Sequence, residues 1–404
     1  MISVTDARAR ILAPLSPTHR EIVPLSEGNG RVLAAPLQAR LNQPPHDLSA
    51  MDGFALRAAD LGQSLRIIGE APAGHPFTGS LQPGETIRLY TGSLIPDGAD
   101  CVMLQEDAAI TGDHVRFPTL PPNIQGIQGK HIRRQGQDFA RGDTLIAAGT
   151  RLTPRAIGLA AAANHPWLTV HRQPIIAILA TGDEISLPGT PIPPGGIISS
   201  NAHALAAFIR TQGAIPLILP IATDNRDAIA QAAASATHAD LLLTTGGASV
   251  GAHDLVRDAL ADEGLVQNFW TIAMRPGKPL MFGQLGALPV LGLPGNPVSA
   301  LVCALLFLGP AIQRLSGLPG DPPTTEPARC TIALPANDHR ADHLRATLAR
   351  GPDGIWQVTP YTTQDSAMMR RLTNADALLL RAPHAPASDA RALVDIINLR
   401  HNGL

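Results

Sequence analysis

The chain has 404 residues, of which 16% are charged, and a formal net charge of −2 at pH 7. Such a balance leaves no basic stripe, which argues against a nucleic-acid-binding protein. The length exceeds what one hydrophobic core usually supports, so we predict two to four domains.

The other global features favour a soluble, cytoplasmic protein. No apolar run reaches the roughly 18 residues of a membrane span. Residues 1–8 lack the charged start, apolar middle and cleavage site of a signal peptide. Cys101, Cys303 and Cys330 are odd in number and widely spaced. We therefore predict that they are packing residues, without disulfides or a thiolate metal site.

The first elements form a scaffold that a second segment interrupts. Residues 3–12 and 30–39 carry helix-like apolar spacing, and residues 22–25 have the pattern of a short strand. Thr153 and Pro154 open a further helix through residue 163. We expect this helix to rejoin the N-terminal part, because insertions are tolerated where their ends lie close. The predicted scaffold is 1–42 plus 140–172.

The predicted insertion, residues 43–139, is a small β-domain. Short alternating segments at 65–68, 85–89 and 99–104 are separated by Gly and Pro turns. Asp52 precedes Gly53, and by itself it is better explained as a turn residue that bonds its own backbone. Thr91 precedes Gly92 and is either a hydroxyl aimed at a ligand or an ordinary turn former.

From residue 173 the pattern changes to alternating strands and helices, with strands at 175–179, 215–219, 241–243 and 289–293 and helices at 201–211, 224–237, from near 253, and 298–308. This alternation predicts an α/β domain over 173–320 with a doubly wound, mostly parallel sheet. Ligands of such sheets bind beyond the carboxyl ends of the strands. Residues 181–184, 224, 244–254 and 294–299 all follow strands, so we expect one crevice.

Two of these strand ends are rich in glycine. The strand at 241–243 runs into Thr-Thr-Gly-Gly-Ala-Ser-Val-Gly at 244–251, and the strand at 289–293 runs into Pro-Gly-Asn-Pro at 294–297. Glycine lets the backbone approach a ligand closely, and a helix N-terminus offers unpaired N–H groups to an anion. These turns predict a phosphate site.

Two cations and three carboxylates belong to the same crevice. Arg275 and Lys278 lie in a loop that two prolines and a glycine restrict. Lys278 is one of only two lysines in the chain, and a compact ammonium meets an oxyanion differently from a guanidinium. Its alternative is a solvated loop charge. Glu184, Asp224 and Asp254 are oxygen ligands that suit Mg²⁺. Helix capping is the alternative for the two aspartates.

A Ser-His-Asp hydrolase is disfavoured, because no G-x-S-x-G elbow follows a strand. A nicotinamide dehydrogenase is disfavoured as well, because no G-x-G-x-x-G follows the first strand of the α/β part. Beyond a proline-rich linker at 319–327, short strands at 330–334, 346–348, 355–358, 377–380 and 392–397 suggest a C-terminal barrel or sandwich over 321–404.

An ordered set of motifs is spread over nearly the whole chain, namely SAMDG at 49–53, TG-x-x-IP-x-GAD at 91–100, G-x-D at 136–138, ATGDE at 180–184, SSNA at 199–202, TTGGASVG-x-x-D at 244–254, RPGKP at 275–279, GLPGNPVS at 292–299 and QDS at 364–366. Together these motifs resemble the MoeA family of molybdopterin molybdenumtransferases, which includes the C-terminal domain of gephyrin. The resemblance implies an α/β multidomain protein in which an elongated dimerisation scaffold and a C-terminal β-barrel accompany a sheet of the molybdopterin-binding type.

The resemblance also implies an activity, namely insertion of molybdate into adenylylated molybdopterin with Mg²⁺, which releases AMP and molybdenum cofactor. It implies that the pterin nucleotide is bound by Gly246, Gly247, Ser249, Pro294, Gly295, Asn296, Pro297 and Ser299. Mg²⁺ would be held by Glu184, Asp224 and Asp254, and molybdate by Arg275, Lys278, Ser299, Arg345 and Ser366. Asp52 and Thr91 would act across a homodimer. The family often has lysine where this chain has Arg275.

Two other functions stay open. A molybdopterin adenylyltransferase shares the TTGG-containing domain but usually lacks the SAMDG segment and the β-insertion, and it would consume ATP. The third possibility is a non-catalytic, gephyrin-like scaffold. The expected partners are a second copy of the chain, an adenylyltransferase, and molybdoenzymes or cofactor-maturation proteins. Neither nucleic acid nor a membrane is expected.

Overall fold

The computed structural model describes residues 1–118, 126–246 and 255–404. Up to residue 171 the elements are α1 (Val4–Leu12), β1 (Arg20–Pro24), β2 (Leu37–Gln38), β3 (Leu48–Ser49), β4 (Gly53–Leu56), β5 (Leu65–Ala71), β6 (Glu85–Leu89), β7 (Cys101–Leu104), β8 (Ala109–Thr111), β9 (His114–Arg116), β10 (Ile132–Arg133), β11 (Thr144–Ile146), α2 (Pro154–Ala162) and β12 (Trp167–His171).

The α/β part that follows contains β13 (Ile175–Ala180), β14 (Ile185–Ser186), β15 (Ile197–Ile198), α3 (Asn201–Thr211), β16 (Ile215–Ile218), α4 (Arg226–Ala234), β17 (Leu241–Thr245), α5 (Leu255–Asp262), β18 (Leu265–Thr271), β19 (Met274–Arg275), β20 (Pro279–Leu285), β21 (Leu288–Leu293), α6 (Pro297–Cys303) and α7 (Gly309–Leu315). The C-terminal part contains β22 (Glu326–Cys330), β23 (Ala341–Arg350), β24 (Trp356–Pro360), α8 (Met369–Thr373), β25 (Ala377–Arg381) and β26 (Leu393–Asn398).

Two distant stretches of chain build the N-terminal scaffold. β1 pairs antiparallel with β12, and β2 pairs antiparallel with β11. The N–H of Ala39 donates to the carbonyl of Asp143 at 2.8 Å, and that of Gln43 to Phe139 at 2.9 Å. The segment between them therefore leaves and returns at neighbouring points, as an insertion requires.

The helix predicted over residues 30–39 is wrong. Gly30 adopts a positive φ of 79°, and Val32 and Leu33 form isolated bridges with Arg151 and Val170. Pro36 also disfavours a helix, because its ring would clash with the preceding turn. Tertiary pairing with the returning chain therefore overrides the helix-like apolar spacing.

The insertion folds around a six-stranded sheet in the order β7–β4–β6–β5–β9–β8. Side chains alternate between its faces, so that Phe54 and Ala55 enter different apolar clusters. Gly53, directly after Asp52, has no room for a side chain, since a Cβ would lie 1.9 Å from the carbonyl oxygen of Met103.

The α/β sheet has the order β16–β13–β17–β21–β20–β18. The first four strands are parallel, whereas β20 runs antiparallel to both of its neighbours. Helices α3 and α6 contribute to the core on one face, and α4 and α5 contribute to the core on the other. The predicted doubly wound, mostly parallel sheet is confirmed, with two strands, β18 and β20, that the sequence pattern did not indicate.

One helical segment is as long and apolar as a membrane span but lies in the core of the protein. Residues Pro297–Leu315 form a continuous helix of mean hydropathy 1.8 that is long and apolar enough to cross a bilayer, but 89% of it is buried inside the protein. A π-helical turn at Ala304–Leu308 lies directly before Gly309 and Pro310, and the helix continues through these two residues. The wider turn accommodates the missing N–H of proline. The segment is a core helix that extends beyond the predicted end at residue 308.

The C-terminal strands close into a five-stranded barrel in the order β23–β24–β22–β26–β25, with β25 returning to pair with β23. β19 pairs in parallel with the first two residues of β23. The strand predicted at 330–334 instead ends at Cys330 and starts at Glu326. Pairing with β24 and β26 decides this register, which the polar Glu-Pro-Ala-Arg-Cys sequence does not show.

Candidate functional site

Three parallel strands of the α/β sheet end at one cavity of about 620 Å³. We call it the strand-end cavity, and the residues that line it are Ala180, Glu184, Ile185, Ile197, Ile198, Ser199, Ser200, Asn201, Thr245, Gly246, Pro279, Pro294, Gly295, Asn296, Pro297 and Ser299. β13, β17 and β21 all terminate here because the carboxyl ends of parallel strands lie at one edge of a sheet. The predicted meeting of strand ends is therefore observed for residues 184, 245, 246, 294–297 and 299, whereas the predicted residues 181–183, 224, 244 and 298 are not among those that line the cavity.

The two glycine turns lie next to each other in the lining of this cavity. Gly246 adopts a φ of 96°, and a Cβ there would lie 2.4 Å from the carbonyl oxygen of Thr181. A Cβ built on Gly295 would lie 3.6 Å from the Cα of Gly246, which is ordinary contact. Close backbone approach and a left-handed conformation therefore both require glycine at position 246, whereas position 295 is less restricted.

Asn201, the first residue of α3, joins these turns. Its Nδ2 donates to Oγ1 of Thr245 at 3.0 Å and to the carbonyl oxygen of Gly295 at 2.7 Å. Neither the SSNA motif nor the helix pattern indicated this role. The signal available in the sequence was a carboxamide at the start of a helix that follows a strand end.

Glu184 enters the cavity from the turn after β13. Gly182, with a φ of 144°, lets the carboxylate fold back over the backbone, since a Cβ there would lie 2.5 Å from Oε2 of Glu184. The Glu184 carbonyl accepts from Ile197 N at 2.8 Å. The turn and its pairing with β15 therefore fix the position of Glu184.

Asp224 lies beside the same turn, because its backbone N–H donates to Oδ1 of Asp183 at 3.0 Å. The helix-capping role falls instead to Asn225, whose side chain accepts from the N–H groups of Asp227 and Ala228. Within residues 1–118, 126–246 and 255–404 no group of three Asp, Glu, His or Cys residues is arranged to hold a metal. Asp254, together with Gly247 and Ser249, lies outside the described residues.

The lining combines apolar and polar groups. Ile185, Ile197 and Ile198 supply an apolar part, and the backbone turns with Asn201 and Ser299 supply a polar part. Thr181 is fully buried next to Gly246, and its Oγ1 has no hydrogen-bond partner in the described part of the chain. Such a cavity can bind a ring system and an anionic group at once.

The two predicted cations in the RPGKP loop have different surroundings. Arg275 forms a two-point ion pair with Asp342, at 2.9 Å from Nε and 2.5 Å from Nη2, and this pair raises the pKa of the guanidinium. The Asp342 side chain is only 7% exposed. Lys278 is exposed and forms no ion pair within the described ranges, and the next residue, Pro279, lines the cavity.

The barrel brings a loop to the cavity rim but keeps its arginine buried. The N–H of Val298 donates to the Ser366 carbonyl at 3.1 Å, so this loop lies against the start of α6. Arg345 is 1% exposed, and Gln364 accepts from its backbone N–H at 3.0 Å and from its Nε at 3.3 Å. Burial lowers the pKa of Arg345, and its Nη2 has no partner among the described residues.

Asp52 and Thr91 meet in the β-domain. Oδ1 of Asp52 accepts from the Thr91 backbone N–H at 2.7 Å and from its hydroxyl at 2.9 Å, across 39 residues of sequence. Asp52 is therefore more than a local turn residue. The backbone N–H of Thr91, followed by its hydroxyl, holds the pKa of Asp52 below its usual value. Neither residue is among those that line the strand-end cavity of the same chain.

Family models match three consecutive parts of the chain. Residues 2–164 match the MoeA N-terminal region (domain I and II), residues 177–314 match a probable molybdopterin binding domain, and residues 327–399 match the MoeA C-terminal region (domain IV).

Among curated relatives, the molybdopterin molybdenumtransferase of Nostoc sp. is 38% identical over 309 residues, 74% of this chain and 70% of the relative. Molybdopterin molybdenumtransferase 2 of Mycobacterium tuberculosis is 35% identical over 391 residues, 92% of this chain and 93% of the relative. The crystal structure of a molybdopterin biosynthesis protein from Pyrococcus horikosii superposes with a TM-score of 0.85 at 25% identity, covering 98% of this chain and 99% of that one.

Proposed function

The chain belongs to the MoeA family of molybdopterin molybdenumtransferases, and from this we propose that it inserts molybdate into adenylylated molybdopterin, releasing AMP and molybdenum cofactor. The observation that carries the proposal is the strand-end cavity, where two adjacent glycine turns, a carboxylate and an apolar part meet. A ligand with phosphates and flat rings matches that lining. The match of all three family segments supports the same reaction.

In this proposal the substrate phosphates lie against the glycine turns. Gly246, Gly295 and Asn296 offer close backbone approach, and Ser299 adds a hydroxyl, while the isoleucines contact a ring. The sequence assigns Gly247 and Ser249, which lie outside the described residues, to the same nucleotide site. Binding at both ends of the substrate holds its phosphate anhydride in one orientation for cleavage.

We assign a Mg²⁺ ion to Glu184, Asp224 and Asp254. The donor set fits, because Mg²⁺ prefers oxygen ligands and commonly takes one or two carboxylates together with substrate phosphates and water. Glu184 lines the cavity, and the Asp183 contact keeps Asp224 next to the same turn. The bound ion would neutralise charge on the phosphate anhydride.

Lys278 is the cation we assign first to molybdate, because its exposed ammonium is not held by an acidic partner in the described ranges. The unpartnered Nη2 of Arg345 supports a secondary contact, and Ser366, whose carbonyl accepts from Val298 N at the start of α6, is assigned with it. Arg275 stays assigned to molybdate, but its guanidinium would have to contact the anion while it remains paired with Asp342.

We further propose a cytoplasmic homodimer in which Asp52 and Thr91 complete the site of the partner subunit. Their mutual hydrogen bonds, and the absence of both from the lining of the cavity of their own chain, support an action across subunits. The three cysteines are free and buried, as expected in a reducing compartment. Donor and acceptor partners would be an adenylyltransferase and molybdoenzymes or cofactor-maturation proteins.

The test is to incubate the purified protein with adenylylated molybdopterin, molybdate and Mg²⁺, and to follow AMP release and activation of an apo-molybdoenzyme. We expect both. Absence of both would overturn the proposal, and ATP consumption with molybdopterin would instead favour an adenylyltransferase. Glu184→Gln should abolish release while folding is kept, because it removes a carboxylate assigned to Mg²⁺. Asp254→Ala should do the same. Gly182→Ala should lower release and stability together, because alanine is strained at a φ of 144° and its Cβ would displace the Glu184 carboxylate.

A further inference from the structure

We propose that Asn201 is a positioning residue that sets the spacing of the two glycine turns of the strand-end cavity. The inference concerns a contact within the protein, and its consequence for substrate binding rests on the proposed function.

The orientation of the carboxamide follows from its partners. The carbonyl oxygen of Gly295, at 2.7 Å, can only accept a hydrogen bond, so the atom facing it must be the NH₂ group. The same nitrogen also reaches Oγ1 of Thr245 at 3.0 Å. Both amide hydrogens are therefore used, one on the end of β17 and one on the turn after β21.

The sheet itself does not hold these turns together. The last paired residues of β17 and β21 are Thr245 and Leu293, and the chains continue beyond that pair as Gly246 and as Pro294–Gly295. Beyond that pair, no other hydrogen bond between the two turns occurs among the described residues. Among the described residues, the side chain of Asn201, the first residue of α3, therefore supplies the hydrogen bonds that connect the two strand ends beyond this last pair.

This bridge controls the part of the cavity where backbone groups meet the ligand. A Cβ built on Gly295 would lie 3.6 Å from the Cα of Gly246, so the two glycines are neighbours, and a change in their spacing alters both backbone surfaces of the cavity. Phosphate binding by backbone N–H groups depends on their convergence. Loss of the bridge should therefore weaken nucleotide binding more than it weakens the fold.

The main variant is Asn201→Asp, which keeps the shape but replaces the double donor by an acceptor facing a carbonyl. Asn201→Gln keeps the donors on a longer side chain and should recover part of the effect. The control is Asn402→Asp, since Nδ2 of Asn402 also donates to two carbonyls, those of Asn398 at 2.8 Å and Thr324 at 3.4 Å, near the C-terminus.

Two measurements separate the inference from the proposed function. Hydrogen–deuterium exchange in the absence of ligand should be faster over residues 244–246 and 293–296 in Asn201→Asp, and unchanged there in Asn402→Asp. Calorimetric titration with AMP should show affinity reduced about tenfold in Asn201→Asp, a change of about 1.4 kcal/mol in binding free energy. Asn402→Asp should bind AMP like the wild type.

Each outcome has one meaning. Unchanged exchange at the two turns in Asn201→Asp would overturn the positioning role, whatever the affinity. Faster exchange with unchanged AMP affinity in a protein that binds AMP would overturn it as well, because spacing would not matter to the ligand. A wild-type protein that neither binds nor releases AMP would contradict the proposed function, while the exchange result would still decide the role of Asn201.

Discussion

Short sequence motifs indicated both the strand-end cavity and the two arginines beside the barrel, Arg275 and Arg345. The polar groups of the cavity face open space, whereas most of those of the arginines are bonded within the protein. In the cavity, glycine backbone, Glu184 and Asn201 surround open space. Beside the barrel, Arg275 is paired with Asp342, and Arg345 is enclosed by Gln364 and Met368.

The difference concerns what remains available to a ligand. A guanidinium in a two-point pair with a buried carboxylate has already lost much of its hydration, and its removal leaves the carboxylate buried without a partner. A solvated lysine ammonium carries no such structural duty. A motif that contains a cationic residue therefore does not show whether that residue stabilises the fold or binds a ligand.

The largest effect should come from the lining of the cavity. Gly246→Ala forces a left-handed conformation that costs about 1–2 kcal/mol and brings Cβ to 2.4 Å from the Thr181 carbonyl oxygen. We expect AMP release to fall by roughly 100-fold or more, the barrier change of about 2.7 kcal/mol that a misplaced turn would produce.

Gly295→Ala is the matched variant, because its Cβ meets Gly246 at an ordinary 3.6 Å. It should retain AMP release within about fivefold, a barrier change near 1 kcal/mol. Equal losses in the two variants would show that the left-handed turn at Gly246 is not the decisive feature.

The second prediction compares the two cations directly. Arg275→Ala should lower the free energy of unfolding by about 2 kcal/mol, less than the roughly 3–5 kcal/mol of a fully buried pair, because the arginine side chain is 48% exposed. Lys278→Ala should change it by less than about 0.5 kcal/mol and raise KM for molybdate by roughly tenfold. Urea unfolding and steady-state kinetics measure both.

A double variant decides the origin of the Arg275 effect. Arg275→Ala combined with Asp342→Asn removes the buried charge and should recover part of the lost stability. If Arg275→Ala leaves unfolding unchanged while Lys278→Ala destabilises the protein, the contrast drawn between the two cations is wrong.

The smallest effect should appear at Asp52. Because Thr91 donates twice to its carboxylate, the folded pKa lies below the unfolded value. This contribution to stability is therefore present above the unfolded pKa and is lost as the pH falls through the folded pKa. Between about pH 5 and 8 Asp52 stays ionised, so it should add no pH dependence there. NMR titration should show a higher pKa in Thr91→Val and little change in Thr91→Ser.

Much of the architecture could be predicted from the chain. The helix at Asn201–Thr211 and the strands β13, β16, β17 and β21 follow directly from apolar periodicity and glycine turns. The sheet order and the C-terminal barrel needed the fold, because β18, β20 and β22 depend on pairing partners distant in sequence. For the same reason residues 30–39 are extended rather than helical.

The sequence by itself determined which strand ends carry glycine, carboxylate and cation, because local backbone preference and residue chemistry are written in adjacent positions. Only the tertiary structure decided that Asn201 hydrogen-bonds to both strand ends, that Arg275 forms an ion pair with Asp342 and that Thr91 donates to Asp52. Those facts depend on side chains that meet across many residues of chain. Their partners are selected by packing geometry, which short-range patterns do not record.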